Sequence, residues 1–220
     1  MEKLKQVVPP AALIAAVLAL WWIVVVQSAS VIFPTPLQVL TGTMELVDDG
    51  TLWTHIGNSL FRVGCGFLVA VLVAVPMGLW MGRIDGVFRT VNPIFQILRP
   101  ISPIAWIPLS ILWFGVGNTS PIFLIFIASV FPLIVQTAAG VHTIERRYLD
   151  AAENFGVSRA MLFRRVVIPA VLPEVVTGMR ITLGVAWLVV VAAEMIAPRS
   201  GLGYLIIDSR NAGNRYDLVI

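Results

Sequence analysis

Four charged side chains interrupt long apolar runs of this sequence, at Arg62, Arg99, Arg180 and Glu194. Because an ion in lipid is costly, each is a hypothesis for a solute path unless the protein supplies a partner. Arg180, Trp187 and Glu194 are spaced by seven residues, so they share one helix face. At a rise of about 1.5 Å per residue the two charges are ~21 Å apart and cannot pair with each other. This face is expected either to line a solute pathway or to pack against another helix.

A second group of charges lies in residues 149–173, a segment too polar for lipid that apolar runs flank on both sides. We call it the elbow. Its apolar residues alternate with five charged ones, Asp150, Glu153, Arg159, Arg164 and Arg165. This order predicts two short helices broken at residues 156–158, with the Ser158 side-chain oxygen capping the second. Pro169 and Pro173 are expected to set where the next long helix begins. Such an elbow suggests a docking site for a soluble partner.

Catalytic groups suited to a membrane enzyme are missing from the sequence. It contains no H-E-x-x-H motif, and His55 and His142 both lie at the ends of apolar runs, so neither a catalytic nor a metal site is predicted. A G-x-x-x-x-G-K-[ST] phosphate loop is also missing. If ATP drives this protein, another polypeptide must therefore bind the nucleotide. The single cysteine, Cys65, is expected to be a small buried side chain.

The elements that position these residues follow from composition. Of 220 residues, 58% are hydrophobic and only 12% are charged, with a mean hydropathy of +0.91. Soluble domains carry about a quarter charged residues, so the chain is predicted to be an all-α, polytopic membrane protein. The first apolar run, residues 7–26, is longer than the ~7–15 residues of a signal-peptide core. We therefore expect an uncleaved first helix rather than a secretory signal.

The apolar runs predict five complete spans and the start of a sixth. The five are expected at about residues 10–33, 56–81, 91–114, 121–141 and 174–197, and a new apolar run begins at 216–220. Between the first two spans, apolar residues recur at helical spacing and predict a short interfacial helix. These residues are Leu37, Leu40, Met44 and Val47. Residues 198–215 form a polar tail.

The third span is interrupted by four prolines, Pro93, Pro100, Pro103 and Pro108. Each proline removes an amide donor and clashes with the preceding turn, so this helix must kink or unwind. Lipid does not tolerate exposed unwound backbone. The span is therefore expected to face a water-filled cavity, the alternative being a kinked helix that only packs. Arg99 and Trp106 lie in it and present the same choice.

Lysine and arginine in the loops predict the orientation. With the N-terminus inside, the inner loops hold nine of these residues and the outer loops only three. The nine are Lys3, Lys5, Arg83, Arg89, Arg146, Arg147, Arg159, Arg164 and Arg165. The N-terminus and the elbow are therefore predicted to be cytoplasmic.

The elbow resembles the signature E-A-A-x3-G-x9-I-x-L-P of permease subunits of binding-protein-dependent ABC importers. Asp150 takes the Glu position, and the later positions keep the spacing at Ala151, Ala152, Gly156, Val166, Ile168 and Pro169. The departures are Asp for Glu, Val for Ile and Ile for Leu. Three further segments, 99–117, 177–196 and 200–206, resemble the nitrate/sulfonate/taurine/bicarbonate branch, and the resemblance covers about residues 58–220.

This resemblance implies a fold like the transmembrane domain of type I ABC importers. Residues 1–56 would form an N-terminal span with an outer interfacial helix. Residues 57–220 would form the transmembrane core, with the coupling segment at 142–173. Family members carry one more span after the position of Ile220. We therefore expect that this chain is either a fragment or a departure from the family pattern that puts the closure of the bundle in doubt.

The resemblance further implies that the elbow docks an ATPase subunit. The docking residues would be Leu149, Asp150, Ala151, Ala152, Phe155, Gly156, Val157, Ser158, Ile168 and Pro169. The partners implied are a second copy of the chain, two ATPase subunits that bind the ATP and Mg²⁺, an extracytoplasmic solute-binding protein and membrane lipid. No nucleic acid and no cofactor in this chain are expected. The location implied is the bacterial plasma membrane, which the chain crosses several times.

The solute implied is a small anion, sulfonate or taurine before nitrate or bicarbonate, and relatives of this branch also carry vitamin precursors. The candidate pathway residues are Arg99, Trp106, Arg180, Trp187 and Glu194. A stand-alone secondary carrier and a membrane scaffold are the alternatives from other classes, and a carrier would transport solute without ATP.

Overall fold

The protein is described by a computed structural model that covers residues 2–28, 33–213 and 215–219. Within these residues the regular structure is helical throughout, which confirms the all-α prediction for the described part of the chain. The ten α-helices there are α1 (Glu2–Ser28), α2 (Pro36–Asp48), α3 (Thr51–Arg83), α4 (Asp85–Leu98), α5 (Ile107–Phe114), α6 (Thr119–His142), α7 (Arg146–Asn154), α8 (Arg159–Leu162), α9 (Ile168–Glu194) and α10 (Leu202–Gly213). Short 3-10 turns occupy Pro103–Trp106 and Tyr216–Leu218, and a π turn occupies Phe163–Val167.

Four of the described helical segments are long and apolar enough to cross a membrane. They are Pro9–Ser28, Thr51–Arg83, Thr119–His142 and Arg159–Glu194. A fifth span exists if the bent pair Asp85–Leu98 and Pro103–Phe114, which meet at 79°, is one span. The five predicted spans therefore include one that is broken. Of the predicted first span, residues 29–32 lie outside the described residues.

The chain divides into two compact units. We call Met1–Gly57 with Ser200–Ile220 the terminal unit, and Asn58–Arg199 the core unit. The passage between them falls within α3 and again after α9.

In the terminal unit, polar contacts hold α2 and the end of the described chain. Thr35 and Gln38 form a capping box at the start of α2, so two first-turn amides find acceptors. Arg215 donates to Glu45 at 2.7 Å and to Asp217 at 2.9 Å. The hydrogen bond from Arg215 holds the pKa of the Asp217 carboxyl below its usual range.

The helix α10 was not predicted, because the sequence there reads as a polar tail. The structure shows Leu205 and Ser209 buried one turn apart on α10. The backbone N–H of Gly201, just before α10, donates to His55 Nδ1 at 2.9 Å. Tertiary contacts therefore outweigh the weak helix propensity of a segment rich in glycine.

The core unit is built around α6, whose faces meet α3 and α9 closely. Along α3, a row of small residues spaced by four is buried: Gly66, Ala70, Ala74, Gly78 and Gly82. A Cβ built on Gly78 would lie 2.6 Å from Cβ of Thr137. On α9, a Cβ built on Gly178 would lie 2.9 Å from Cγ of Gln136. Missing side chains therefore let both helices approach α6, as is common between membrane helices.

The start of the last long helix differs from the prediction. We expected Pro169 and Pro173 to set where it begins. Pro169 lies in the first turn of α9, which begins at Ile168, but Pro173 lies inside the helix. With α8 and the π turn it forms one helical span, Arg159–Glu194, of 36 residues. A proline leaves a carbonyl of the preceding turn without its amide, and the π turn directly before Pro169 already departs from regular bonding. Pro169 is thereby accommodated within the helical span.

Candidate functional site

The elbow, residues 149–173, contains the end of α7, a tight turn, α8, the π turn and the start of α9. One side of α7 is anchored in the core unit: Leu149 packs against the cluster of Leu79, Val167 and Val171. Ala152 is buried as well. The apolar anchor therefore fixes the elbow to the ends of α3 and α9.

The other side of the elbow is open. Asp150 and Ala151 are exposed, and the side chain of Phe155 is 86% exposed. The remaining predicted docking residues are Val157, which is half-buried, and Gly156, Ser158, Ile168 and Pro169, which are exposed. An aromatic side chain standing this far out of a tight turn contributes little to the packing of its own chain. It is typical of an interface residue.

The turn after α7 has the geometry that its sequence predicts. Gly156 adopts φ +65°, and the Val157 N–H donates to the Ala152 carbonyl at 3.1 Å, which is the Schellman pattern at a helix C-terminus. The Ser158 hydroxyl then accepts from the Met161 N–H at 3.4 Å and caps α8. The prediction of two helices broken at residues 156–158, with Ser158 as the cap, is confirmed.

Gly156→Ala is expected to loosen this turn by about 1 kcal/mol, because a Cβ disfavours the left-handed backbone. Nothing lies within 4 Å of an added Cβ, so the cost comes from the backbone alone. Gly156→Asn should cost less, since asparagine tolerates this conformation better. Hydrogen exchange at the Val157 amide measures the effect. Gly117→Ala is the matched control, because Gly117 is equally open but has no positive φ. If Gly117→Ala changed the exchange of the Val157 amide as much as Gly156→Ala does, the left-handed turn at Gly156 would be contradicted.

A buried polar cluster joins three elements at one end of the core unit. Arg62 and Glu194 are each 1% exposed, and the Arg62 guanidinium donates to the Glu194 carboxylate at 2.6 Å. The Ser59 hydroxyl lies 2.8 Å from the same carboxylate. Asn118, just before α6, accepts from Arg62 at 2.8 and 2.9 Å. Glu194 thus has its partner inside the protein.

Sequence reasoning missed this pairing, although a signal was present. Arg62 lies near the start of α3 and Glu194 at the end of α9. With alternating span directions, both therefore lie at the same depth. An isolated cation and an isolated anion at equal depth in a membrane protein are expected to meet.

The face of α9 that carries three candidate pathway residues passes from the surface into the core. Arg180 is exposed, Trp187 is half-buried against Val190, and Glu194 is buried. The structure therefore does not bring Arg180 and Glu194 together.

The broken span places the other two candidates beside one cavity. Arg99, Trp106 and the α6 residues Phe131 and Pro132 line a space of about 220 Å³ at the bend between α4 and α5. Arg99 is exposed and Trp106 is half-buried. The unwound backbone at the bend thus borders this cavity.

Known proteins are similar in sequence to this chain over most of its length. The family model described as "Binding-protein-dependent transport system inner membrane component" matches residues 67–216. The chain is 39% identical over 192 residues to "Taurine transport system permease protein TauC" of Escherichia coli, covering 84% of this chain and 70% of that protein. It is 33% identical over 224 residues to "Nitrate import permease protein NrtB" of Synechocystis sp., covering 98% of this chain and 81% of that protein.

A solved structure shares the fold. The "MetNI methionine ABC transporter", in inward facing conformations, matches with a TM-score of 0.63 at 19% identity, over 77% of this chain and 86% of that one. At this identity the likeness concerns the fold alone, and it confirms the predicted transmembrane architecture of ABC importers.

Proposed function

This chain belongs to the inner membrane components of binding-protein-dependent transport systems, and we propose that it is the permease subunit of an ATP-driven importer for a small anionic solute. It is a multi-pass membrane protein of the ABC permease type. The proposal rests on the exposure of Phe155 in the elbow. This side chain lies outside the packed core, just before the continuous helical span Arg159–Glu194.

The elbow is the docking site for the ATPase in this proposal. The exposed side of α7, with Asp150, Ala151 and Phe155, would lie in a groove of an ATPase subunit on the cytoplasmic side. ATP and Mg²⁺ would be bound by that subunit, and the permease itself would have no enzyme activity. Because Leu149 ties α7 to α3 and α9, movement of the ATPase would move the core unit with it.

A second copy of the chain would complete the pathway. The four or five spans of the described residues are too few to enclose a solute, so we propose a homodimer with the path on its axis. Residues 57–220 would supply the transmembrane core, and residues 1–56 the first span and an outer interfacial helix. An extracytoplasmic binding protein would deliver the solute, and Arg99, Trp106, Arg180, Trp187 and Glu194 are the pathway candidates proposed from sequence.

The solute is proposed to be a sulfonate or taurine. Support comes from the similarity to a taurine permease, while the similarity to nitrate permeases keeps nitrate as the second candidate. Bicarbonate and a vitamin precursor remain less supported alternatives. A stand-alone carrier is the remote alternative, and it would move solute in liposomes without ATP or other subunits.

Phe155→Ala is expected to weaken capture of the ATPase subunit by the permease roughly thirtyfold, because a buried aromatic anchor contributes about 2 kcal/mol to an interface. Co-purification from membranes, quantified against the amount of permease, measures it. The melting temperature of the permease alone should not change, since Phe155 is 86% exposed.

The matched control is Leu13→Ala, an apolar side chain 67% exposed on α1, which should leave ATPase capture unchanged. If the Phe155→Ala protein pulls down the ATPase at wild-type strength, the docking assignment is wrong. If no protein with a nucleotide-binding loop accompanies the wild-type chain, the proposed function itself fails.

A further inference from the structure

The cavity at the bend between α4 and α5 lies at mid-height in the core unit. On α6, which runs from Thr119 to His142, it touches residues 127–132, half-way along the helix. A 24-residue helix is about 36 Å long, so these residues fall near the middle of a bilayer that α6 crosses. We call this space the bend cavity.

Arg99 stands at the edge of the bend cavity without an anion to neutralise it. Within the part of the chain that the structure describes, no carboxylate lies within salt-bridge distance of its guanidinium. An arginine at this depth costs several kcal/mol unless it meets water or an anion. By contrast, Arg62 forms an ion pair with Glu194. The core unit therefore supplies a carboxylate to an arginine that has a structural role.

The rest of the bend cavity is apolar. Among the described residues that line it, the aromatic side chains of Trp106 and Phe131 face the same space as Leu98, Ile101 and Pro132, and Arg99 supplies the one charge. No carboxylate occurs in this lining to hold an ammonium group. Its volume of about 220 Å³ is below the roughly 300–1,000 Å³ of pockets for drug-sized ligands. The cavity therefore suits a solute of few atoms.

We propose that the bend cavity is a solute-binding site for an aliphatic sulfonate or a similar oxyanion with one negative charge and a short apolar body. The guanidinium of Arg99 would bind the oxygens through two parallel N–H donors, and the apolar body would lie against Trp106 and Phe131. This inference rests on the proposed function, adds the position of the bound solute, and narrows its chemical class to a sulfonate without an ammonium group, which excludes taurine. A solute without an apolar body, such as nitrate, would make no contact with the apolar lining residues Trp106 and Phe131. A solute with an ammonium group would bury that charge without a carboxylate.

The test measures binding to the assembled permease–ATPase complex in lipid nanodiscs. The extracytoplasmic binding protein is left out, so that its own specificity plays no part. Ethanesulfonate is titrated, and the melting temperature of the complex is followed, since a ligand that binds the folded state raises it. We expect a saturable rise for the wild type. Arg99→Gln should weaken binding roughly tenfold to hundredfold, the effect of losing a hydrogen bond to a charged group, and Arg99→Lys should weaken it less.

The control is Arg89→Gln, which removes an exposed arginine from α4, the helix that Arg99 directly follows, at a position away from the cavity. It should bind ethanesulfonate as the wild type does. Arg89→Gln should also keep the basal ATP hydrolysis of the complex. Co-purification of the ATPase subunit with each Arg99 variant shows that the variant folds and assembles.

Three results would overturn the site: no rise with wild type, equal binding by Arg99→Gln, or binding of nitrate or taurine as tight as that of ethanesulfonate. In each case a complex that still hydrolyses ATP leaves the proposed function standing. If instead no ATPase assembles with the chain, the proposed function fails before the site is tested.

Discussion

Glu194→Ala is expected to destabilise the core unit by about 3–5 kcal/mol, the usual effect of removing one partner of a buried ion pair. The change leaves the Arg62 guanidinium, 1% exposed, without the carboxylate that lies 2.6 Å away. It also removes an acceptor of the Ser59 hydroxyl. Thermal unfolding of the purified permease in detergent, followed by circular dichroism, measures the loss.

Arg180→Ala is the matched control, because Arg180 is exposed on the same helix and should change the melting temperature little. The double variant Arg62→Leu with Glu194→Leu should be more stable than Glu194→Ala, since it leaves no buried charge unpaired. A Glu194→Ala protein as stable as the control would mean that the cluster is solvated and not buried.

Gly78→Ala is expected to destabilise the packing of α3 on α6 by about 1–3 kcal/mol, the usual effect of an added methyl group in a filled core. Its Cβ would lie 2.6 Å from Cβ of Thr137 and 2.8 Å from the carbonyl oxygen of Ile134. The backbone atom cannot move aside as a flexible side chain would. The melting temperature and the yield of folded protein from membranes should both fall.

Gly64→Ala offers a control on the same helix and with the same added atom. Nothing lies within 4 Å of a Cβ at Gly64, so alanine there should be neutral or stabilise α3 by up to about 1 kcal/mol through its helix propensity. The difference between the two variants isolates close packing from propensity. Equal effects at Gly64 and Gly78 would contradict the close approach of α3 to α6.

The elbow was the part of the fold that the sequence predicted best, because its signals are local. Gly156 needs a left-handed backbone, and Ser158 satisfies amides three residues away, so neither depends on the rest of the chain. The broken third span was predicted for the same reason, since each proline acts on its own turn.

The features that were missed depend on contacts between distant segments. A local rule stops a helix near Pro169 and Pro173, but the π turn and the packing of α9 on α6 carry it through both. The helix α10 and the pairing of Arg62 with Glu194 likewise join residues more than a hundred positions apart. Spacing alone could place Arg180 and Glu194 on one face, but not show that the face passes into the core.

The buried row on α3 has a consequence for how its helices are aligned. Small residues repeat every four positions from Gly66 to Gly82, so sliding α3 by one turn along α6 would set one small residue where another had been. Such a repeat forms a groove along α3, but it specifies the register of α3 relative to α6 only weakly. Arg62 is the next member of the same row, four positions before Gly66, and it is large and charged. Because Glu194 and Asn118 hold it, and because the slot beside Ile122 and Ile125 admits no side chain at Gly66, the ion pair fixes a single register. The ion pair therefore opposes a slide of α3 by one turn along α6, which the small residues alone would permit.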